Sequence, residues 1–67
     1  MNGEIKRVFV DKGFGFIKGE DGAEYFLNRS AVRGVSFESL DVGQRVTFEV
    51  TKNWKGPRAE NVRLVQA

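Results

Sequence analysis

The chain alternates polar and apolar side chains without a fault in RVTFEVT, residues 45–51. Successive side chains of a strand point to opposite faces of the sheet, so Val46, Phe48 and Val50 share one face and the polar residues share the other. The segment is therefore predicted to be a strand with one buried face. Across the chain, apolar positions are filled mostly by valine and phenylalanine and seldom by leucine, which also favours strands over helices.

Four further strands are predicted around this segment, at residues 4–10, 13–18, 24–27 and 58–65. In the first of them the alternation breaks, which is typical of a β-bulge. The cluster GEDG at residues 19–22 predicts a tight turn that joins the next two strands as a hairpin, because glycine accepts a positive φ at little cost. The triplet KGP at residues 55–57 is a second turn signal before the last strand.

Between residues 28 and 43 the alternation lapses, and no segment has the periodicity of a long amphipathic helix. Residues 30–32 are predicted to form one helical turn and residues 33–41 an irregular connection. Five short antiparallel strands with a longer connection after the third predict an all-β domain, either a small closed barrel or a sandwich. Closure removes the exposed strand edges, which are otherwise a liability.

The composition excludes several classes of protein. The chain has 67 residues, no cysteine, no histidine and a formal net charge of +2. It is expected to form a single domain, residues 1–67, with no disulfide, no metal site and no small-molecule cofactor. Thiol and imidazole catalysis are absent and the carboxylates form no recognisable constellation, so we expect no enzyme activity. No apolar run is longer than three residues, the length of the run at residues 8–10. We therefore predict no membrane span, a cytoplasmic location and, with no feature that demands self-association, a monomer.

The segment KGFGFI, residues 12–17, combines two rings with two glycines. In a strand, Phe14 and Phe16 lie on one face while Ile17 lies on the other. Phe26 joins the two rings if the predicted hairpin places its strand alongside. Exposed rings contribute little to folding but offer flat faces to nucleobases, whose stacking contributes about 1–3 kcal/mol per base. The pattern therefore predicts a surface for single-stranded RNA or DNA.

The same alternation divides the remaining side chains between core and surface. The predicted core members are Ile17, Tyr25, Leu27, Val46, Phe48 and Val50. The basic residues predicted to flank the rings and attract phosphates are Lys6, Arg7, Lys12, Lys18 and Arg29. Three acidic residues are predicted to lie elsewhere: Glu38, Asp41 and Glu49. A nearly neutral molecule would then present one basic, aromatic face.

The order of motifs resembles the cold-shock domain. Residues 12–17 look like its first ribonucleoprotein motif, and EYFLNRS, residues 24–30, occupies the place of its second. The agreement continues through SLDVGQRV at residues 39–46 and through GP and NV within residues 56–62. The resemblance implies a five-stranded antiparallel OB-fold barrel that binds single-stranded RNA or DNA with little sequence preference, as nucleic-acid chaperones of that family do.

Four positions depart from the family pattern. Arg7 and Val8 stand where the family usually carries a tryptophan and then a phenylalanine. Asn28 and Arg29 stand where it usually carries a histidine and a phenylalanine. Stacking rings are therefore lost, but an arginine guanidinium can itself stack and contact phosphate, which would shift the balance towards electrostatic contacts.

Two further rings are assigned to the site. Phe37 sits where the family often has an aromatic residue in the long loop, and Trp54 lies in the loop before Lys55, where it could equally fold back onto the barrel. Phe9 is expected to pack rather than to stack. The predicted nucleic-acid site comprises Lys6, Arg7, Lys12, Phe14, Phe16, Lys18, Phe26, Asn28, Arg29, Phe37, Trp54 and Lys55.

The residues leave one other function open. A small β-barrel could instead be a protein–protein interaction module that has lost nucleic-acid binding, although Phe14, Phe16, Phe26 and Lys12 favour nucleic acid. An RNA-recognition motif, which shares the first motif, is disfavoured because the chain has neither the length nor the periodicity for its two helices.

Overall fold

Five strands make up the barrel in the computed structural model, which describes residues 1–53 and 56–65. They are β1 (Asn2–Phe9), β2 (Phe14–Gly19), β3 (Glu24–Asn28), β4 (Arg45–Asn53) and β5 (Gly56–Leu64). Neighbouring strands are hydrogen-bonded in the order β1-β2-β3-β5-β4, and β4 pairs with β1, so the sheet closes on itself. The predicted all-β class and five-stranded barrel are confirmed.

One pairing in this barrel is parallel. A closed ring of five strands cannot reverse direction at every step, because an odd number of reversals does not return to the starting direction. The parallel pair is β3 with β5, which meet at Phe26 and Arg58. A parallel bridge between Val32 and Val62 continues this seam. The other four pairings are antiparallel, as predicted.

The barrel interior holds the side chains that the alternation assigned to it. The predicted core residues that are at most 5% exposed are Ile17, Tyr25, Leu27, Val46 and Phe48. Val50 is half-buried and packs against them. The core is completed by Ile5, Ala31, Phe37, Leu40, Ala59 and Val62. Three of these additions, Ala31, Phe37 and Leu40, come from the β3–β4 connection, which therefore covers one part of the barrel.

The break in alternation in β1 is a β-bulge, as predicted. The pairing register with β2 shifts between Ile5 and Arg7, so Lys6 is an extra residue without a partner on β2. Because side chains alternate with period two, one extra residue reverses the facing of every residue after it. Val8 consequently packs against the core, while Phe9 lies on the outer face.

Gly15 allows β1 and β2 to approach closely beside this bulge. The residue is buried, and a Cβ at its position would collide with the carbonyl oxygen of Arg7. The adjacent pair Arg7 and Phe16 lies on the outer face at the same place. A larger residue at position 15 would therefore move the two strands that carry this pair.

The β3–β4 connection contains two short 3₁₀ turns, Arg29–Ala31 and Phe37–Ser39. The first was predicted one residue later, and its N-cap is Asn28, whose Oδ1 accepts a hydrogen bond from the Ser30 N–H at 3.1 Å. The second falls in the segment predicted to be irregular. Over the described ranges, no helix has the length and apolar character needed to cross a membrane.

Candidate nucleic-acid interface

Four phenylalanine rings lie together on the outer face of β1, β2 and β3. The ring centroids of Phe9 and Phe14 are 5.1 Å apart. The ring centroid of Phe16 lies 6.1 Å from that of Phe14 and 6.0 Å from that of Phe26. The centroids of Phe14 and Phe26 are 5.9 Å apart. All four are half-buried, and none belongs to the core. We call this group the phenylalanine cluster; the predicted shared face of Phe14, Phe16 and Phe26 is confirmed.

Strand register explains why the rings meet. Arg7 of β1 pairs with Phe16 of β2, Phe16 pairs with Phe26 of β3, and Phe26 pairs with Arg58 of β5. Residues directly opposite each other on neighbouring strands point to the same face of a sheet. The four side chains therefore form one row across four strands, with an arginine at each end and two rings between.

A second row places Phe9 in the cluster. Phe9 pairs with Phe14, and Phe14 pairs with Asn28. Phe9 was expected to pack, on a face that the broken alternation of its strand left open, and its ring packs beside Phe14 on the outer surface. The signal was present in the sequence: a bulge before Arg7 reverses the alternation and turns Phe9 outward. The ring adds a fourth member to a group predicted to have three from these strands.

Lys6 at the bulge is ion-paired. Its Nζ donates a hydrogen bond to Oε2 of Glu24 at 2.8 Å, and both side chains are about half exposed. The pKa of the Glu24 carboxyl is lowered, first by this hydrogen bond and the charge of Lys6, and also by the charges of Arg7 and Lys18, while desolvation acts the other way. The surface around the phenylalanine cluster, which we call its rim, is therefore basic at this point but includes one carboxylate.

Arg29 is held by the loops beside it. Its guanidinium forms an ion pair with Glu38, donates a hydrogen bond to the carbonyl oxygen of Val10 at 2.9 Å, and lies 5.4 Å from the centre of the Phe37 ring. The prediction that Glu38 lies away from the basic residues is therefore wrong. The long loop brings Glu38 back to Arg29, a contact between residues nine apart in sequence that strand alternation could not show.

Phe37 corrects another expectation. Its side chain is 3% exposed and belongs to the core, and the Arg29 guanidinium lies over its ring. A buried ring presents no face to a base, so we remove Phe37 from the stacking surface. The physical reason is that the β3–β4 connection must cover the barrel, and a phenylalanine in it contributes more by burial than by exposure.

The remaining predicted residues lie around the cluster. Lys12 and Lys18 are both exposed. Lys12 lies in the β1–β2 turn, and Lys18 lies near the end of β2. The cross-strand partners of Lys18 are Glu4 on β1 and Glu24 on β3. Asn28 lies opposite Phe14 and uses its side chain to cap the first 3₁₀ turn. Trp54 and Lys55 lie outside the described residues.

Arg58 is a basic residue beside the cluster that the sequence prediction missed. The carbon at the centre of its guanidinium is 6.0 Å from the centre of the Phe26 ring, and its Nε is 3.1 Å from Oε1 of Glu60. Only the parallel seam between β3 and β5 brings Arg58 next to Phe26. The two residues are 32 positions apart in sequence, and no local pattern indicates their contact.

A closed five-stranded barrel whose outer face carries clustered rings and flanking basic residues defines a class of small OB-type barrels that hold single strands. Comparison with known proteins agrees. The family described as the 'Cold-shock' DNA-binding domain matches residues 1–65. The chain belongs to the cold-shock domain family, whose members bind single-stranded nucleic acids and are not enzymes.

Relatives match over most of their length. Cold shock protein 2 of Lactiplantibacillus plantarum is 47% identical over 62 residues, which cover 92% of this chain and 94% of the relative. Cold shock-like protein CspE of Bacillus anthracis is also 47% identical, covering 92% of each chain. Cold shock protein CspD of Bacillus subtilis is 43% identical, covering 92% of this chain and 94% of its own. The chain is therefore a nucleic-acid-binding protein in the general sense that its family defines.

Proposed function

We propose that this protein binds single-stranded RNA or DNA with low sequence specificity, stacking bases on Phe14, Phe16 and Phe26 and contacting the backbone through basic residues at the rim. The phenylalanine cluster is the observation that carries the proposal. Rings that share one outer face in strand register, and are only half-buried, keep surface available to a planar ligand.

The arrangement of the rings supports stacking at more than one place. Phe14 and Phe26 are inclined by only 23° to each other, whereas Phe16 stands nearly perpendicular to Phe14 at 83°. Ring pairs in this edge-to-face arrangement stabilise one another. The cluster is thus held in place by its own contacts before a ligand arrives, which lowers the entropy that binding must overcome.

The backbone contacts divide into two groups. Arg7, Lys12 and Lys18 are exposed and are the first candidates to meet phosphates. Lys6 and Arg29 already pair with Glu24 and Glu38, so a phosphate must compete with a carboxylate for each of them. Exposed ion pairs are weak because water screens them, so the competition is a modest cost.

Binding of this kind acts passively on base pairing. A protein that holds unpaired strands and not duplex shifts the pairing equilibrium towards the open form by mass action, without nucleotide hydrolysis. This is the nucleic-acid chaperone or regulatory part of the proposal. In this proposal the protein acts in the cytoplasm as a monomer, and residues 1–67 form its single domain.

The test compares single strands with duplex. Labelled heptathymidine, an oligouridine of the same length and a blunt hairpin duplex are titrated with the protein, and fluorescence anisotropy is read together with the fluorescence of Trp54, the one tryptophan of the chain. We expect binding to both single strands and much weaker binding to the duplex. Sedimentation of the free protein and of its complex checks that one chain binds one oligonucleotide.

Matched variants decide whether the cluster is responsible. Phe14→Ala with Phe16→Ala is expected to abolish most of the binding, while Val42→Ala, which shortens a side chain 68% exposed in the β3–β4 connection, is expected to leave it unchanged. Equal binding of single strand and duplex, or undiminished binding by the double variant when folded, would contradict the proposal. No binding to any oligonucleotide would favour the protein-interaction alternative.

A further inference from the structure

Arg58 ends the cross-strand row that runs through two rings of the cluster. It lies on β5, directly opposite Phe26 of β3 across the parallel seam. Its side chain is 32% exposed, less than the side chains of Lys6 at 41% and Arg29 at 49%. Arg58 thus has the least exposed side chain of these three basic residues, and its guanidinium borders a ring of the cluster.

The guanidinium is positioned by a ring and a carboxylate. The 6.0 Å between its central carbon and the Phe26 centroid is at the outer limit of a cation–π contact, so the group borders the ring and does not lie flat against it. Glu60 lies 3.1 Å from Nε, close enough for an ion pair. Nε is buried but has no aligned hydrogen bond, so Glu60 holds it by charge alone.

We propose that Arg58 gives this protein a preference for guanine at the nucleotide that stacks on Phe26. The inference rests on the proposed function, since it requires a base on that ring. A base stacked on Phe26 brings one of its edges beside the guanidinium, and the contacts of Arg58 with Phe26 and Glu60 restrict how the guanidinium can turn.

The chemistry of the base edges selects guanine. A guanidinium presents parallel N–H donors in a fixed fork, and the O6 and N7 atoms of guanine are two adjacent acceptors that match it. Adenine pairs its N7 acceptor with an N6 donor, which faces the fork unfavourably. Thymine and uracil offer O4 alone on the corresponding edge, and cytosine offers a donor. When the edge that carries N7 faces Arg58, only guanine satisfies both arms of the fork, because the paired acceptors of cytosine, O2 and N3, lie on its other edge.

The experiment measures one substitution at a time within a weakly selective background. Guanine replaces a single thymine at each position of heptathymidine in turn, and affinities are measured by anisotropy. At the position that occupies Phe26, we expect guanine to bind about tenfold more tightly than thymine, the effect of one bidentate contact. Inosine keeps O6 and N7 and should retain the preference, whereas 7-deazaguanine lacks N7 and should lose it.

Three variants separate the fork from charge and from folding. Arg58→Lys keeps the charge but not the fork, and we expect it to bind all oligonucleotides while losing the guanine preference. Arg58→Gln should lose the preference as well. Arg63→Gln changes a second arginine of β5, which is exposed and lies outside the cluster, and should keep the guanine preference. Urea unfolding of each variant shows that it is folded at the concentrations used.

The outcomes distinguish this inference from the function on which it rests. Tight binding of every oligonucleotide with no guanine preference at any position overturns the role of Arg58 and leaves the proposed function intact. An equal loss of affinity for all bases in Arg58→Gln also overturns it, since that result assigns Arg58 to the phosphates. Failure of the wild-type protein to bind any single strand overturns the proposed function itself.

Discussion

At the scale of single residues, Lys6 determines which side chains of β1 face outward. As the extra residue of the β1 bulge, it reverses the facing of the remainder of the strand. Arg7 and Phe9 reach the outer face for this reason, while Val8 packs inward. Two members of the candidate interface therefore depend on one residue that itself pairs with Glu24.

Phe26 and Phe37 show how two residues of the same type serve different ends. Phe26 is half-buried in the phenylalanine cluster, whereas Phe37 is 3% exposed in the core. We expect Phe26→Ala to weaken single-strand binding by about 1–3 kcal/mol, roughly 5- to 150-fold, with little loss of stability. We expect Phe37→Leu to lower the free energy of unfolding by about 1 kcal/mol and to leave the affinity of the folded protein unchanged.

Oligonucleotide anisotropy and urea unfolding, measured on the same two preparations, check this pair of expectations. The decisive comparison is the crossed pattern of the two readouts. If Phe37→Leu lost affinity while remaining folded, or Phe26→Ala lost mainly stability, the assignment of one ring to the surface and the other to the core would be reversed.

At the scale of secondary-structure elements, the β2–β3 hairpin is stabilised by a cluster of hydrogen bonds in its turn. Asp21 accepts a hydrogen bond from the Tyr25 hydroxyl at 2.5 Å and another from the Ala23 N–H at 3.1 Å. Gly22 adopts a φ of 85°, as the predicted turn requires. The turn sets the register in which Phe16 meets Phe26, so it supports the cluster from a distance.

These bonds predict a pH dependence of stability. The Tyr25 hydrogen bond, followed by that of the Ala23 N–H, lowers the pKa of Asp21 below its ordinary value of 3.8. A lowered pKa means that the ionised carboxylate stabilises the fold above the pKa of the unfolded chain, and that this contribution is lost as pH falls through the folded-state value. Asp21→Asn is therefore expected to show a shallower loss of stability below pH 3.8 than the wild type.

Urea unfolding midpoints at neutral pH and at successive acidic pH values measure the effect. Tyr25→Phe removes the largest cause of the shift and should reproduce much of the change in pH dependence. Some dependence should remain in both variants, because the pKa of Glu24 is also lowered. Parallel curves for wild type and Asp21→Asn would show that the turn carboxylate is not coupled to folding.

At the alkaline end, the hydrogen bond to Asp21 raises the pKa of Tyr25. The protonated Tyr25 hydroxyl therefore stabilises the fold below the pKa of the unfolded chain, and this contribution is lost as pH rises through the folded-state value.

At the scale of the whole molecule, a net charge of only +2 conceals an uneven distribution. Exposed basic residues border the cluster, and Glu49, which lies opposite Glu60 in the β4–β5 register, accepts a hydrogen bond from the side chain of Asn61. Glu24, Glu38 and Glu60 do lie at the rim, each paired with a basic side chain. The candidate interface is thus less positive than its count of basic residues indicates.

Salt dependence measures how much of the binding is electrostatic. If about three or four phosphates are contacted, the logarithm of the affinity for heptathymidine should fall against the logarithm of salt concentration with a slope of about −2 to −3. Titrations between about 0.05 and 0.2 M monovalent salt give this slope. A flat dependence would remove the electrostatic part of the proposed function and leave stacking alone.

Much of the barrel could be predicted because its evidence is local. Alternation in β2, β3 and β4 depends only on neighbouring residues, and the strict period of two determines which side chains are buried. Ile17, Tyr25, Leu27, Val46 and Phe48 lie inward for this reason. The shared face of Phe14, Phe16 and Phe26 follows from the same rule, together with one turn whose glycines and aspartate set the register.

Only the tertiary structure decided which residues distant in sequence come into contact. The parallel seam, required because five strands close a ring, places Arg58 beside Phe26. The β3–β4 connection, which has no period of its own, folds Phe37 into the core and Glu38 onto Arg29. Local patterns specify which face a side chain takes, but its neighbours across a closed barrel depend on how all the strands pack together. The amino-acid sequence by itself thus determined the barrel and its stacking face, while tertiary packing decided which charges and rings border that face.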